Sequence, residues 1–366
     1  MSSEITVQDQ TTNATVYSAF VNNTLTGVSG GSDSLYAFCR EPEYRSRSIL
    51  KKEQTILQLF FDSYSLAFEL PLMLNTRDGE PFFEYEGDLW TARKRIQGTR
   101  FDWRHFNWSE AHAKVSGEAL AQIHSVSMVP GLQDDLQSGL AAKELDYTDL
   151  IRQKLSLCKN TATRWLKGDI AALFERLDVL LDSSQFKQIA TSTRCFIHGD
   201  FHPGNVIYQS AKSTLSPQVK AVIDWDYSRW GSQLIDFCLA RLMFAGSFRR
   251  QVPQKSSAPK DQDSLLDSYS RTFVLGYKRT LARVLKNKTL YPEGIVSWEE
   301  QSLSQNQIAL SLVDEDSLRP YHLTAMLLIA LFELQCLEAQ KDQPDQTILN
   351  NLEILVDQIS RVCVTF

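Results

Sequence analysis

The chain has 366 residues, 43% hydrophobic and 22% charged, an ordinary globular balance long enough for one large or two moderate cores. A formal net charge of −6 argues against a general nucleic-acid binder and suits cationic or neutral small partners. Six cysteines stand singly, with no CxxC pair and no disulfide-dense spacing, and read as small core residues.

The opening "MSSEITVQDQTTNATVY" lacks the basic and apolar regions of a signal peptide. The first hundred residues are rich in strand signals: "TVYSAF", "SLYAFC" and "DLWTARKRI" are separated by clusters of Gly, Asn and Asp. "TGVSGGSDS" is the most turn-like stretch of the chain. A helix is predicted over about 45–60, where Ile49, Ile56, Leu57 and Phe60 share one face at 3.6-residue spacing. Glu53 lies inside that stripe, and a carboxylate there is costly unless a cation meets it. From Trp108 onward helices dominate. Ser109 is a plausible N-cap for "EAHAKVSGEALAQIH", and further helices are predicted near 148–180, 232–245, 263–287, 319–340 and 346–362. "RRQVPQKSSAPKDQDS" reads as an exposed, mobile loop. The longest apolar run, "AMLLIALF", is far short of the roughly 20 residues of a membrane span, so no membrane partner is expected and a reducing cytoplasm is the simplest setting.

One segment breaks the helical pattern. In "RCFIHGDFHPGNVIY" an apolar β-run delivers His198 and Asp200 to a turn bent by Pro203 and Gly204, and a second short strand follows Asn205. The run "VKAVID" is a third strand, ending on Asp224. Strands joined in this way would bring Asn205 and Asp224 together with Asp200 close by. Two carboxylates and an amide oxygen form a hard-oxygen set suited to Mg²⁺. Asx residues also hydrogen-bond their own turns, but that explains one such residue, not His198, Asp200, Asn205 and Asp224 together. Reading "HGDFH" as an H-x-D-x-H zinc site fits poorly, because Pro203 and Gly204 break the strand at once and the remaining histidines lie singly.

"HGDFHPGNVIY" followed by "AVIDWD" resembles the signature of the aminoglycoside phosphotransferase and choline kinase-like family, relatives of the protein kinases. "GEALAQIH", "LIDFCLA" and "FVLGYK" resemble other segments of that family, and Asp236 falls where its members brace the catalytic loop. The resemblance implies an α+β, two-lobed, protein-kinase-like fold. A small β-rich nucleotide lobe over 1–97, with its hinge near 89–97, would precede a larger helical lobe over 98–366. It implies transfer of a γ-phosphate from ATP, or GTP, to a hydroxyl of a small molecule such as an amino alcohol, sugar or aminoglycoside. Asp200 would be the catalytic base, His198 would fix the loop, and Asn205 and Asp224 would hold Mg²⁺ against the nucleotide. Asp226 would support the metal or serve as a turn residue. Nothing in the sequence bears on oligomeric state.

The resemblance is weakest near the N-terminus. The family's strand lysine aligns with Phe38, and Arg40, two residues on, is expected to replace it beside Glu53 at the nucleotide. A surface pairing of Glu53 with Lys52 or Arg47 is the alternative. Arg93, Lys94 and Arg95 read as a solvated edge strand. The phosphate-loop glycines are not in standard form, so the nucleotide lobe is expected to be truncated or degenerate, its first strand short or absent. A non-catalytic nucleotide-binding protein, or a kinase of protein hydroxyls, are the rival functions.

Overall fold

A computed structural model describes residues 5–11, 14–20, 35–63, 65–127, 146–190, 192, 194–209, 216–249, 265–286, 315–340 and 343–364. The turn-like stretch 26–34 and most of the loop 249–264 lie outside those residues.

The chain forms two compact units, Met1–Thr99 with Val206–Ser228, and Arg100–Asn205 with Arg229–Phe366. A contiguous division at 97/98 would leave Val206–Ser228 in the second unit. Main-chain pairing joins it to the first instead: Thr99 bridges Tyr208, and the Glu69 N–H donates to the Lys220 carbonyl at 2.7 Å.

The first unit carries a five-stranded antiparallel sheet. Its strands are β1 (Ile5–Thr11), β2 (Ala14–Phe20), β3 (Leu35–Arg40), β4 (Phe83–Tyr85) and β5 (Asp88–Lys94), in the order β1-β2-β3-β5-β4. The first strand, expected to be short or absent, is present as the seven-residue β1. Helix α1 (Arg47–Ser63) buries Leu50, Glu53, Ile56, Leu57 and Phe60 along one stripe, the register predicted from its periodicity with Leu50 in place of Ile49. Phe60 meets the edge of Trp225, ring centres 5.7 Å apart, which anchors the second segment of this unit.

The second unit is helical. Helix α2 (Glu110–Val126) follows Ser109. The single helix expected over 148–180 is two, α3 (Tyr147–Trp165) and α4 (Ile170–Leu181), because Asp169 caps the second through the Ala172 N–H at 3.0 Å. After α5 (Ser184–Ala190), strand β6 (Arg194–Ile197) leads to the segment singled out above. Strands β7 (Val206–Tyr208) and β8 (Val219–Val222) pair in the first unit, and β9 (Arg229–Ser232) returns to pair with β6. Helices α6 (Gln233–Ala245), α7 (Asp267–Lys286), α8 (Glu315–Ala339) and α9 (Gln346–Val364) complete the unit. By length and composition α8 is, among the described residues, one helix apolar enough to cross a membrane, which the run "AMLLIALF" did not reveal. Its most apolar window is 61% buried within the protein, against α3, α6 and α9.

Candidate active site

Strand β6 is apolar and buried, and it sets His198–Asn205 at the end of a core element. Gly199 takes φ +81°, a left-handed conformation open to a residue without Cβ, and the chain turns there. Asp236, on the first turn of α6, holds the turn by its main chain. Its Oδ1 accepts the Gly199 N–H at 3.0 Å, and its Oδ2 accepts the His198 N–H at 3.3 Å. His198 is fully buried, and its Nδ1 accepts the Asp200 N–H at 3.3 Å. That contact ties its ring to the loop's backbone.

Asp200 itself is half-buried, its side chain 37% exposed. Burial pushes its carboxyl up, but His202 (Nε2 to Oδ2, 3.5 Å), His198 and the Asn205 hydrogen bond outweigh that and hold it below the usual carboxylate range. Asp200 is therefore ionised at neutral pH. Asn205 ends a 3₁₀ turn and donates through Nδ2 to the Asp200 carbonyl (3.0 Å) and to Asp200 Oδ2 (3.2 Å). With the amide N–H groups committed to Asp200, Asn205 Oδ1 is the atom left to meet a cation. Arg100 Nε secures the same turn through the Gly204 carbonyl at 3.0 Å.

In the first unit Asp224 follows β8 at φ +67°, a conformation that costs about 1–3 kcal/mol for a non-glycine residue and is kept only where its surroundings impose it. The next residue, Trp225, is held firmly: its ring is buried on Phe60 and its Nε1–H donates to the Val222 carbonyl at 2.9 Å. Asp224 and Asp226 hydrogen-bond to each other, and burial followed by the Asp224 charge pushes the Asp226 carboxyl up to about 7. Asp226 Oδ1 is buried without a hydrogen-bond partner. A carboxylate pair with an unsatisfied oxygen and excess negative charge fits a hard divalent cation. Among the described residues no three His, Cys, Asp or Glu side chains gather as a metal set. Register sets Val206, the residue after Asn205, opposite Val222, two before Asp224.

Glu53 has its cations, but not the expected one. Arg93 Nη1 reaches Glu53 Oε1 at 2.9 Å, and Arg45 pairs with both Glu53 and Glu41, the latter at 2.9 Å. Burial pushes Glu53 up, yet Arg93 and Arg45 bring it below its ordinary range. Arg40 reaches Asp88 instead, Nε to Oδ2 at 2.8 Å, with its side chain half exposed. The pleat explains the correction. Ala37 pairs with Arg93 and Cys39 with Thr91, so those residues share the face that meets Glu53, whereas Arg40 is opposite Trp90 on the other face. Arg93, read from sequence as part of a solvated edge, is a buried cation.

Sequence reasoning also missed His124 and Tyr277 as parts of the loop's support. His124 Nε2 lies 3.0 Å from Asp236 Oδ2, and its Nδ1 lies 2.7 Å from the Tyr277 hydroxyl. The signals were present in "GEALAQIH" and "FVLGYK", but only packing unites residues 153 positions apart.

The model of the phosphotransferase enzyme family matches residues 68–266. The chain belongs to that family. Its matched span holds His198, Asp200, Asn205, Asp224 and Asp236, while Arg40 and Glu53 precede it. No curated protein matches the chain significantly. A Ralstonia eutropha protein provisionally assigned as an aminoglycoside phosphotransferase shares the fold at a TM-score of 0.60 and 13% identity, over 100% of this chain and 93% of its own. Choline kinase from Cryptosporidium parvum aligns at 0.58 and 11% identity, over 98% and 88%. A spectinomycin phosphotransferase, solved with ADP and spectinomycin, aligns at 0.52 and 15% identity, over 98% and 92%. This family member is thus a phosphotransferase of mixed helix and sheet, with the kinase-like fold those proteins share.

Proposed function

We propose that this family member transfers the γ-phosphate of ATP to a hydroxyl group of a small molecule, with Asp200 as the catalytic base. GTP is the alternative nucleotide. The observation that carries the reading is the state of Asp200: an ionised carboxylate whose contacts to Asn205 and His202 fall on Oδ2 and the main chain. Oδ1 is then the oxygen that orients the acceptor hydroxyl and takes its proton as the phosphoryl group arrives. Asn205 Oδ1 and Asp224 would hold Mg²⁺, with Asp226 as support. Bound there, the ion would neutralise charge on the phosphate oxygens. The remaining work is positioning, which falls to His198, Asn205 and Asp236 through the main chain of the loop.

The acceptor class follows the molecules named for the structural relatives, choline in one and spectinomycin in the other. The test is transfer of ³²P from γ-labelled ATP across amino alcohols, sugars and aminoglycosides. Transfer to one class is expected, reduced about 10²–10⁴-fold in Asp200→Ala. A second reading, a nucleotide-binding protein without chemistry, draws on the strand face that offers Ala37 and Cys39 to Glu53 instead of a lysine. Mg²⁺-dependent thermal stabilisation by ATP with neither transfer nor hydrolysis would favour it.

A further inference from the structure

Three segments of the second unit converge on the main chain before Asp200. Helices α2 and α7 cross so closely that a Cβ on Gly117 would lie 2.2 Å from the Phe273 carbonyl oxygen, and one on Gly276 2.2 Å from that of Lys114. The crossing brings Tyr277 to His124, and both are fully buried. Gln233, at the start of α6, donates from Nε2 to the Tyr277 hydroxyl at 2.7 Å. Burial keeps the Tyr277 hydroxyl protonated.

Those contacts set one direction of donation. The Tyr277 oxygen accepts from Gln233, so its proton goes to His124 Nδ1 at 2.7 Å. His124 then carries its own proton on Nε2, and that N–H donates to Asp236 Oδ2 at 3.0 Å. Asp236 accepts two loop amides as well. Run in reverse, the chain would leave the Tyr277 proton without an acceptor among these partners. The buried Asp236 charge is met by three N–H donors, and the loss of one weakens the set that also holds Gly199.

We propose that His124 and Tyr277, supplied by Gln233, are positioning residues that act through Asp236 to hold His198–Asp200 in the geometry for phosphoryl transfer. The proposal rests on Asp200 being the base. Structural support alone would lower stability without separating turnover from binding. Positioning lowers kcat while ATP binding stays.

The experiment measures MgATP hydrolysis and amide hydrogen exchange at Gly199 in the full chain and in His124→Leu, His124→Gln, Tyr277→Phe and Asp200→Ala. In His124→Leu and Tyr277→Phe, kcat is expected to fall about 10–100-fold, as when an orienting partner is removed, with KM for ATP within about twofold. Exchange at Gly199 should accelerate in both. His124→Gln keeps an Nε2 donor within reach of Asp236 and should recover most of kcat and of the protection. Unchanged kcat in the first two variants, equal loss in His124→Gln and His124→Leu, or unmoved exchange at Gly199 would each overturn the proposal. If His124→Leu does not fold, Tyr277→Phe, which removes a single oxygen, decides. If Asp200→Ala hydrolyses ATP as fast as the wild type, the assignment of the base falls, and Gly199 exchange still decides whether these residues hold the loop.

Discussion

Glu53 and its two arginines show what burial asks of charge. The Glu53 side chain is 1% exposed, so its ion pairs are not weakened by water, and removing the carboxylate leaves two buried arginines with Glu41 as their shared carboxylate. Glu53→Gln should cost about 3–5 kcal/mol in urea unfolding. The sign with pH follows from the lowered carboxyl. A depressed folded value contributes stability that is present above the unfolded value, near 4.3 for a glutamate, and is lost as pH falls through the folded value. Asp200 and Asp236 share that sign. The urea midpoint of the wild type should therefore decline below about pH 4, and Glu53→Gln should decline less. At Asp224 the strained φ and the charge can be separated. Asn tolerates the left-handed region, so Asp224→Asn should melt near the wild-type temperature in the absence of cation and lose the Mg²⁺-dependent gain with ATP.

At the scale of elements, the crossing of α2 and α7 is set by two glycines that face opposite backbones. Alanine at either position improves helix propensity by about 1 kcal/mol, yet its Cβ meets a main-chain oxygen that cannot step aside. Overpacking should win: Gly117→Ala or Gly276→Ala is expected to destabilise the protein by about 1–3 kcal/mol in thermal or urea unfolding. β3, β5, α1, α2 and α6 were readable from alternation, periodicity and capping residues. β9 was not. Its "RWGS" has the composition of a turn and becomes a strand only because Arg194–Ile197, some 35 residues earlier, offers its edge.

At the scale of the whole molecule, the first unit is discontinuous in sequence. A fragment ending at Thr99 lacks β7 and β8, loses the Trp225 ring that covers Phe60, and leaves Glu69 and Thr99 without their main-chain partners. It should melt without a cooperative transition when followed by circular dichroism. Binding of MgATP to the full chain should raise its stability by about 2.7 kcal/mol at a nucleotide concentration 100 times Kd, read as a shift in melting temperature.

The residues of the HGDFHPGN segment, the strand ends around it and the carboxylate inside α1 could be recognised from sequence, because each depends on neighbours within a few positions of the chain. Which cation met Glu53 could not. It turned on the pleat of β3 against β5, where a shift of one residue sends Arg40 to the far face and brings Arg93 to the near one. The support of Asp236 by His124 and Tyr277 was equally hidden, since hydrogen bonds across 112 and 153 positions leave no local pattern. Local chemistry can be read along the chain; which distant side chains meet is decided by register and by how closely two helices can approach.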